Sequence, residues 1–218
     1  MSNQDWRDSW QRNEIEFHQH DGSAHLRRCW PALEFPAGSR ILVPLCGKSL
    51  DLLWLSAQGH AVMGVELSPI AITAFFRESG LIPTRSREGR FTVWRHGTIA
   101  ILGGDFFDLT ATHVADIAGV YDRASLTALP EDRRRDYAAH MIRILPGGSP
   151  TLLLTMESPE GDIPPPPYLI DKEVTGLYGG TYNITLVHGE TVLEDDPDTP
   201  AGPPLQMEAK AYLLAPRA

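Results

Sequence analysis

The chain has 218 residues, 42% hydrophobic and 22% charged, enough for one well-filled core and a single domain of ordinary soluble composition. A formal charge of −9, with 19 Lys and Arg gathered into no sustained basic tract, excludes a nonspecific binder of nucleic acid or anionic membranes; Arg133-Arg134-Arg135 reads as a solvated helix face. Only Cys29 and Cys46 are present, no charged-then-apolar leader opens the chain and no apolar run reaches membrane-spanning length, so a cytoplasmic, reducing location is expected.

In residues 4–20, Trp6 and Trp10 fall one helical turn apart and Phe17 two turns beyond, which predicts a helix with an aromatic stripe. Taken alone, such a stripe packs on the domain. Residues 21–38 read as a turn, a short helix and a connector. A buried strand, 40–44, then enters the turn Leu45-Cys46-Gly47 and feeds a helix, 48–58, that stops at Gly59. Strand 61–66 ends in Glu66, and Ser68 with Pro69 opens a helix, 69–79, that stops at Gly80. Residues 91–95 and 98–102 form a hairpin around His96-Gly97, and Gly104-Asp105-Phe106 follows. Strand 117–121 ends at Asp122-Arg123, a helix covers about 130–143, and 151–156 is a further buried strand. This βα alternation predicts a parallel sheet covered on both faces, with a ligand at the C-terminal edge of its strands. Pro164–Pro167 is read as an extended loop over that edge. A short helix near 171–178, a strand near 182–187, the acidic loop 194–198 and an alternating, antiparallel strand 206–214 complete the chain.

The first turn restricts the ligand. A phosphate loop ending in Gly47-Lys48-Ser49 needs glycine where this chain has Leu42, and Pro44-Leu45-Cys46 supplies none of the bare amides that a pyrophosphate requires. A nucleoside without phosphates tolerates such a turn. Glu66, at the end of the second strand, can accept both hydroxyls of a ribose, and Asp105 with Phe106 can take an adenine amino group and cover the ring. Cys46 reads as a small apolar filler, since no histidine of matching spacing pairs with it. The eight histidines show no metal-ligand spacing, and His18 and His20 near the N-terminal segment are expected to be structural.

These residues resemble the thiopurine S-methyltransferase family in its bacterial form. The likeness rests on Trp6, Trp10 and Phe17-His18, on Val43–Asp51, Gly59-His60, Gly64–Ser68, Phe75-Phe76, Asp105–Leu109 and Tyr121-Asp122-Arg123, and it covers nearly the whole chain. It implies the Rossmann-like class I methyltransferase fold, an α/β doubly wound seven-stranded sheet whose last strand is antiparallel, in one domain of residues 1–218. It also implies an N-terminal helical lid within residues 1–38 and S-adenosylmethionine as methyl donor. Carried over residue by residue, donor contacts fall on Trp10, Leu45, Glu66, Asp105, Phe106 and Arg123, and Phe17 faces the acceptor. Similar proteins can carry an acceptor-facing arginine in the last loop, whereas this chain has none between Arg143 and Arg217.

The implied reaction is in-line methyl transfer to an aromatic or heterocyclic thiol such as a thiopurine. A thiol partly ionised near neutral pH needs no dedicated base, so neither a metal nor a catalytic triad is expected, and a monomer acting on a small molecule suffices. Arg123 is the candidate for an active role, fixing the donor's carboxylate or favouring the acceptor thiolate, with a salt bridge to Asp122 or another strand-end acid as the alternative. Other acceptors open to the same fold are halide, thiocyanate and selenium or tellurium species. A non-catalytic module that holds S-adenosylmethionine is the third possibility.

Overall fold

Residues 3–15, 18, 21–157, 170–194 and 204–217 are described in a computed structural model. The strands are β1 (Arg40–Val43), β2 (Ala61–Glu66), β3 (Thr84–Glu88), β4 (Phe91–His96), β5 (Ile99–Gly103), β6 (Ile117–Arg123), β7 (Thr151–Glu157), β8 (Tyr182–Glu194) and β9 (Leu205–Pro216). They form one sheet in the order β3-β4-β5-β2-β1-β6-β7-β9-β8. The helices are α1 (Asn3–Arg12), α2 (Ala24–Cys29), α3 (Asp51–Ala57), α4 (Pro69–Glu78), α5 (Ser125–Ala128), α6 (Glu131–Ile144) and α7 (Ile170–Tyr178).

Pairings β5·β2, β2·β1, β1·β6 and β6·β7 are parallel, so five strands bring their C-terminal ends to one edge. Side chains alternate across this sheet into two cores. Ile41, Val43 and Val62 pack with Leu52 and Leu55 of α3 and with Ile72 and Phe75 of α4. Leu42, Met63 and Val65 pack on the other face with Tyr137 and Met141 of α6 and Val174 of α7. A strand buried on both faces must be apolar throughout, which is why Ile41-Leu42-Val43 reads as a continuous run.

The seven strands implied by the family resemblance are present, and β9 is antiparallel to both its neighbours. The sheet nevertheless has nine strands, because β3 and β4 extend the edge beyond β5. All five residues of β3 are exposed, and its sequence Thr-Arg-Ser-Arg-Glu has no apolar alternation to announce a strand.

Four further expectations are corrected. The aromatic helix does not run to residue 20: α1 ends at Arg12, and Asn13 turns left-handed at φ 58°. The helix after the first turn starts at Asp51 rather than 48, since Ser49 Oγ accepts the Asp51 amide while Ser49 N donates to Cys46 O. Strand β8 runs to Glu194, past a register shift between Leu186 and His188. The arginine run is not wholly solvated. Arg134 is buried, donating from Nε to Leu129 O and from Nη1 to Glu173 Oε2 at 2.8 Å, which ties α6 to α7. Pro164–Pro167, residues 195–198 and His20 lie outside the described residues. Among those described, no helix is long and apolar enough to cross a membrane.

Candidate functional site

The first turn is held in an unusual shape. Leu45 has φ +45° and Gly47 φ +54°, and the left-handed region is costly for a branched residue such as leucine. Three contacts impose it: Cys46 N donates to Val65 O at 3.0 Å, Gly47 N donates to Glu66 Oε2 at 2.9 Å, and Ser125 Oγ donates to Pro44 O at 3.2 Å. The turn is thereby fastened to the end of β2 and to the start of α5, just past β6. Beneath it, Cys46 Sγ fills the space left by Gly64, where a Cβ would approach to 2.8 Å. Burial pushes the Cys46 thiol well above its usual range, with the Glu66 charge adding to the effect. The filler reading of Cys46 agrees with this placement.

Glu66 ends β2 and is buried at 6% exposure. Its Oε1 accepts the Ser68 amide at 2.6 Å while Oε2 takes that of Gly47. Burial raises its pKa, and these amides oppose the rise. A carboxylate offers about four lone-pair positions, so acceptor capacity remains for hydroxyl donors. Gly103 of β5 pairs with Glu66, and Gly104 N donates to Glu66 O at 2.9 Å. Asp105 therefore follows directly beside Glu66, as the sequence pattern requires, and its carboxylate accepts the Phe107 amide at 2.9 Å. The Phe106 ring does not face outward. It is 2% exposed and packs 4.8 Å from Tyr137 and 5.3 Å from His140, so Phe106 can offer the edge only its backbone in this conformation.

Trp10 reaches the same place from α1. It is buried, and a Cβ built on Gly47 would lie 3.3 Å from its indole. The N-terminal helix thus covers the first turn, which a stripe packed elsewhere on the domain would not do. Phe17 lies outside the described residues. Of the two histidines near the N-terminal segment, His18 is described, with its amide donating to Ile15 O at 2.8 Å.

Arg123 ends β6 and forms a salt bridge, though not with Asp122 or another strand-end acid. Its partner is Asp51, the first residue of α3, with Nε 3.1 Å from Oδ2. Its Nη2 also donates to Ser49 Oγ at 3.3 Å. Asp51 is 1% exposed and serves as a hub: Oδ1 accepts the Ser23 amide at 2.7 Å and Oδ2 the Tyr121 hydroxyl at 2.8 Å. Tyr121 and Arg123 stand two apart on one strand and so share a face, which is how both reach Asp51. Asp122, between them, points to the other face, where Tyr137 donates to its Oδ2 at 2.7 Å and burial raises its pKa to about 6. Asp51, Ser49 and Tyr121 were not singled out as functional residues. The spacing Tyr121-x-Arg123 carries the signal for a shared face, but nothing in the sequence says which acid they meet.

Glu66, Asp105, Leu45, Trp10 and Arg123 are thus gathered around one strand edge. The donor set suits a nucleoside: a buried carboxylate with spare acceptor capacity beside a turn that has too much bulk for phosphates, and no cradle of successive glycine amides. The groove between α6 and α7, about 480 Å³ and lined by Arg135, Ile142, Arg143 and Leu177 among others, contains none of these residues.

The sequence profile of the family Thiopurine S-methyltransferase (TPMT) matches residues 1–217. A thiopurine S-methyltransferase of Stutzerimonas stutzeri is 48% identical over 213 residues, spanning 97% of this chain and 90% of that protein. A SAM-dependent methyltransferase from Anabaena variabilis superposes with a TM-score of 0.62 at 13% identity, covering 99% of this chain and 95% of the other. The Burkholderia thailandensis 1,6-didemethyltoxoflavin-N1-methyltransferase, solved with bound 1,6-didemethyltoxoflavin and S-adenosylhomocysteine, gives 0.59 at 17% identity over 98% of this chain and 87% of that one. At these identities the two structures speak for the fold.

Proposed function

We propose a mechanism from one premise: the chain belongs to the thiopurine S-methyltransferase family. It is a methyltransferase that uses S-adenosylmethionine to methylate the sulfur of thiopurines. S-adenosylmethionine supplies a methyl group on a positively charged sulfonium, open to in-line attack by sulfur. The observation that carries the site assignment is Glu66, a buried carboxylate at the β2 end with both oxygens anchored by backbone amides and capacity left for a ribose.

The residues act mainly by placement. Glu66 fixes the ribose, Asp105 accepts from the adenine amino group, and the backbone of Leu45 and Phe106 lines the ring's approach. Trp10, already seated on the Gly47 turn, closes the donor from water, with residues 1–38 as the lid segment; the family resemblance assigns Phe17 to the acceptor. Holding two reactants collinear and dry accounts for up to about 7–11 kcal/mol in ideal intramolecular models. Arg123 is held by Asp51 and Ser49 through one side of its guanidinium. The rest of the fork is directed at the donor's carboxylate or at the acceptor thiolate, whose ionised form a nearby positive charge favours. The chain acts as a monomer in the cytoplasm on a small thiol that diffuses freely.

Incubation of the protein with S-adenosylmethionine and 6-mercaptopurine, followed by quantifying S-methylated product, tests the reading. Multiple turnovers with 6-mercaptopurine, and lower specificity for iodide, thiocyanate and selenite, are expected. Turnover with those anions alone would move the acceptor to the inorganic class. No product from any of them would overturn the enzyme.

A further inference from the structure

His25, from far away in sequence, meets His188 and Glu190 where α2 packs against β8. His188 and Glu190 follow the register shift in β8 and stand two apart, so both side chains leave the same face of the strand. Their partners across the ladder are Ala211 and Ala209, which leave room above that face. Gly189 between them pairs with Lys210, so that lysine leaves on the opposite face. From α2, His25 presents its ring 5.1 Å from that of His188.

The distances place the three side chains within reach of one metal ion. His25 Nε2 lies 3.0 Å from Glu190 Oε1, and His188 Nε2 lies 3.4 Å from Glu190 Oε2. Ligands at 2.0–2.1 Å around a tetrahedral ion are separated by about 3.3 Å, the scale of both contacts, which the two histidines make to different oxygens of Glu190. The ligand atoms all lie within 4.8 Å of one another, which leaves the third separation a small ring rotation from closure. His25 Nε2 is buried and faces Glu190 Oε1 at ion-pair distance.

We propose that His25, His188 and Glu190 bind a divalent transition-metal ion of the zinc class, with a position left open to water. Two imidazoles and a carboxylate are a donor set that such ions take and that calcium or magnesium do not favour. The ion has a structural role: it clamps α2 to β8. Ser23, the N-cap of α2, donates its amide to Asp51, so the clamp steadies one support of the Arg123 network without touching the reacting groups.

The experiment is Zn²⁺ titration of the metal-stripped full-length chain by calorimetry, with thermal melts in Zn²⁺ before and after EDTA. One site per chain is expected, together with a rise in Tm of about 5–10 °C at a hundredfold excess over Kd that EDTA reverses. His25→Gln and the strand variant His188→Gln/Glu190→Gln should each weaken binding at least tenfold while leaving the metal-free Tm unchanged. Should His25→Gln fail to fold, the strand variant decides alone, because its positions lie on a sheet edge. Absence of stoichiometric binding at 100 μM Zn²⁺, or binding undiminished in the variants, would overturn the site.

Discussion

Replacing Asp51 by asparagine should disable Arg123 without touching it. Three donors converge on this carboxylate: the Ser23 amide on Oδ1, and the Tyr121 hydroxyl and Arg123 Nε on Oδ2. Asparagine keeps one oxygen. With that oxygen turned to Ser23, its NH₂ group faces Tyr121 and Arg123; the tyrosine hydroxyl can rotate to accept, but a guanidinium has no acceptor. Breaking one side of a buried ion pair costs about 3–5 kcal/mol. Arg123 keeps 20% of its side-chain surface and its contact with Ser49 Oγ, which places the expected loss near about 3 kcal/mol. For a chain of this length that is a fall in Tm of about 6–12 °C. Steady-state assays with S-adenosylmethionine and 6-mercaptopurine should show kcat/KM reduced about 10- to 100-fold at temperatures where the variant is folded. A double-mutant cycle with Arg123→Gln isolates the pair, and a coupling of about 1–3 kcal/mol is expected. Coupling below about 0.5 kcal/mol, or an Asp51→Asn enzyme within twofold of the parent, would refute the hub.

Two predictions concern the supports of the site. Asp122 has a folded-state pKa raised from 3.8 to about 6, so the folded protein binds its proton more tightly than the unfolded chain. The sign is the reverse of a salt-bridged acid: its contribution is most favourable below the unfolded value and is lost as pH rises through about 6, a change of about 3 kcal/mol. Asp122→Asn should therefore gain stability relative to the parent between pH 4.5 and pH 7.5 in urea melts, and a difference that does not vary with pH would contradict the assignment. Gly64→Ala should cost about 2 kcal/mol in the same melts, because its Cβ would meet Cys46 Sγ at 2.8 Å and Leu52 at 3.1 Å. Cys46→Ala in the same chain should restore part of that loss, and an unchanged urea midpoint in the single variant would show that the turn is not packed on Gly64.

The parallel sheet was legible because its strands are buried on both faces and its helices carry ordinary caps. Ser68 is an example: its side chain caps α4 by accepting the Ala71 amide, as serine before proline predicts. What escaped the sequence was whatever depends on partners distant along the chain. Arg134 looks like its neighbours until Glu173 arrives from α7. β3 exists only because β4 offers it a ladder, since none of its side chains is buried. The site divides the same way. Glu66 ends a parallel strand and Asp105 follows one by two residues, which made both legible, whereas Asp51 is revealed only by β6 placing Tyr121 and Arg123 against the start of α3. Phe106 shows the opposite failure, an aromatic at the expected position whose ring the core takes for itself.

That the edge around Glu66 holds a phosphate-free nucleoside donor is tested most directly by calorimetric titration of the protein and of Glu66→Ala with S-adenosylhomocysteine, NAD and ATP in parallel. The parent should bind S-adenosylhomocysteine in the micromolar range and neither phosphate-bearing ligand. Loss of two charge-assisted hydrogen bonds, at about 1.5 kcal/mol or more each, should weaken binding by the folded variant about a hundredfold or further. Binding of S-adenosylhomocysteine that is unchanged in Glu66→Ala, or preference for NAD or ATP by the parent, would contradict the site as described.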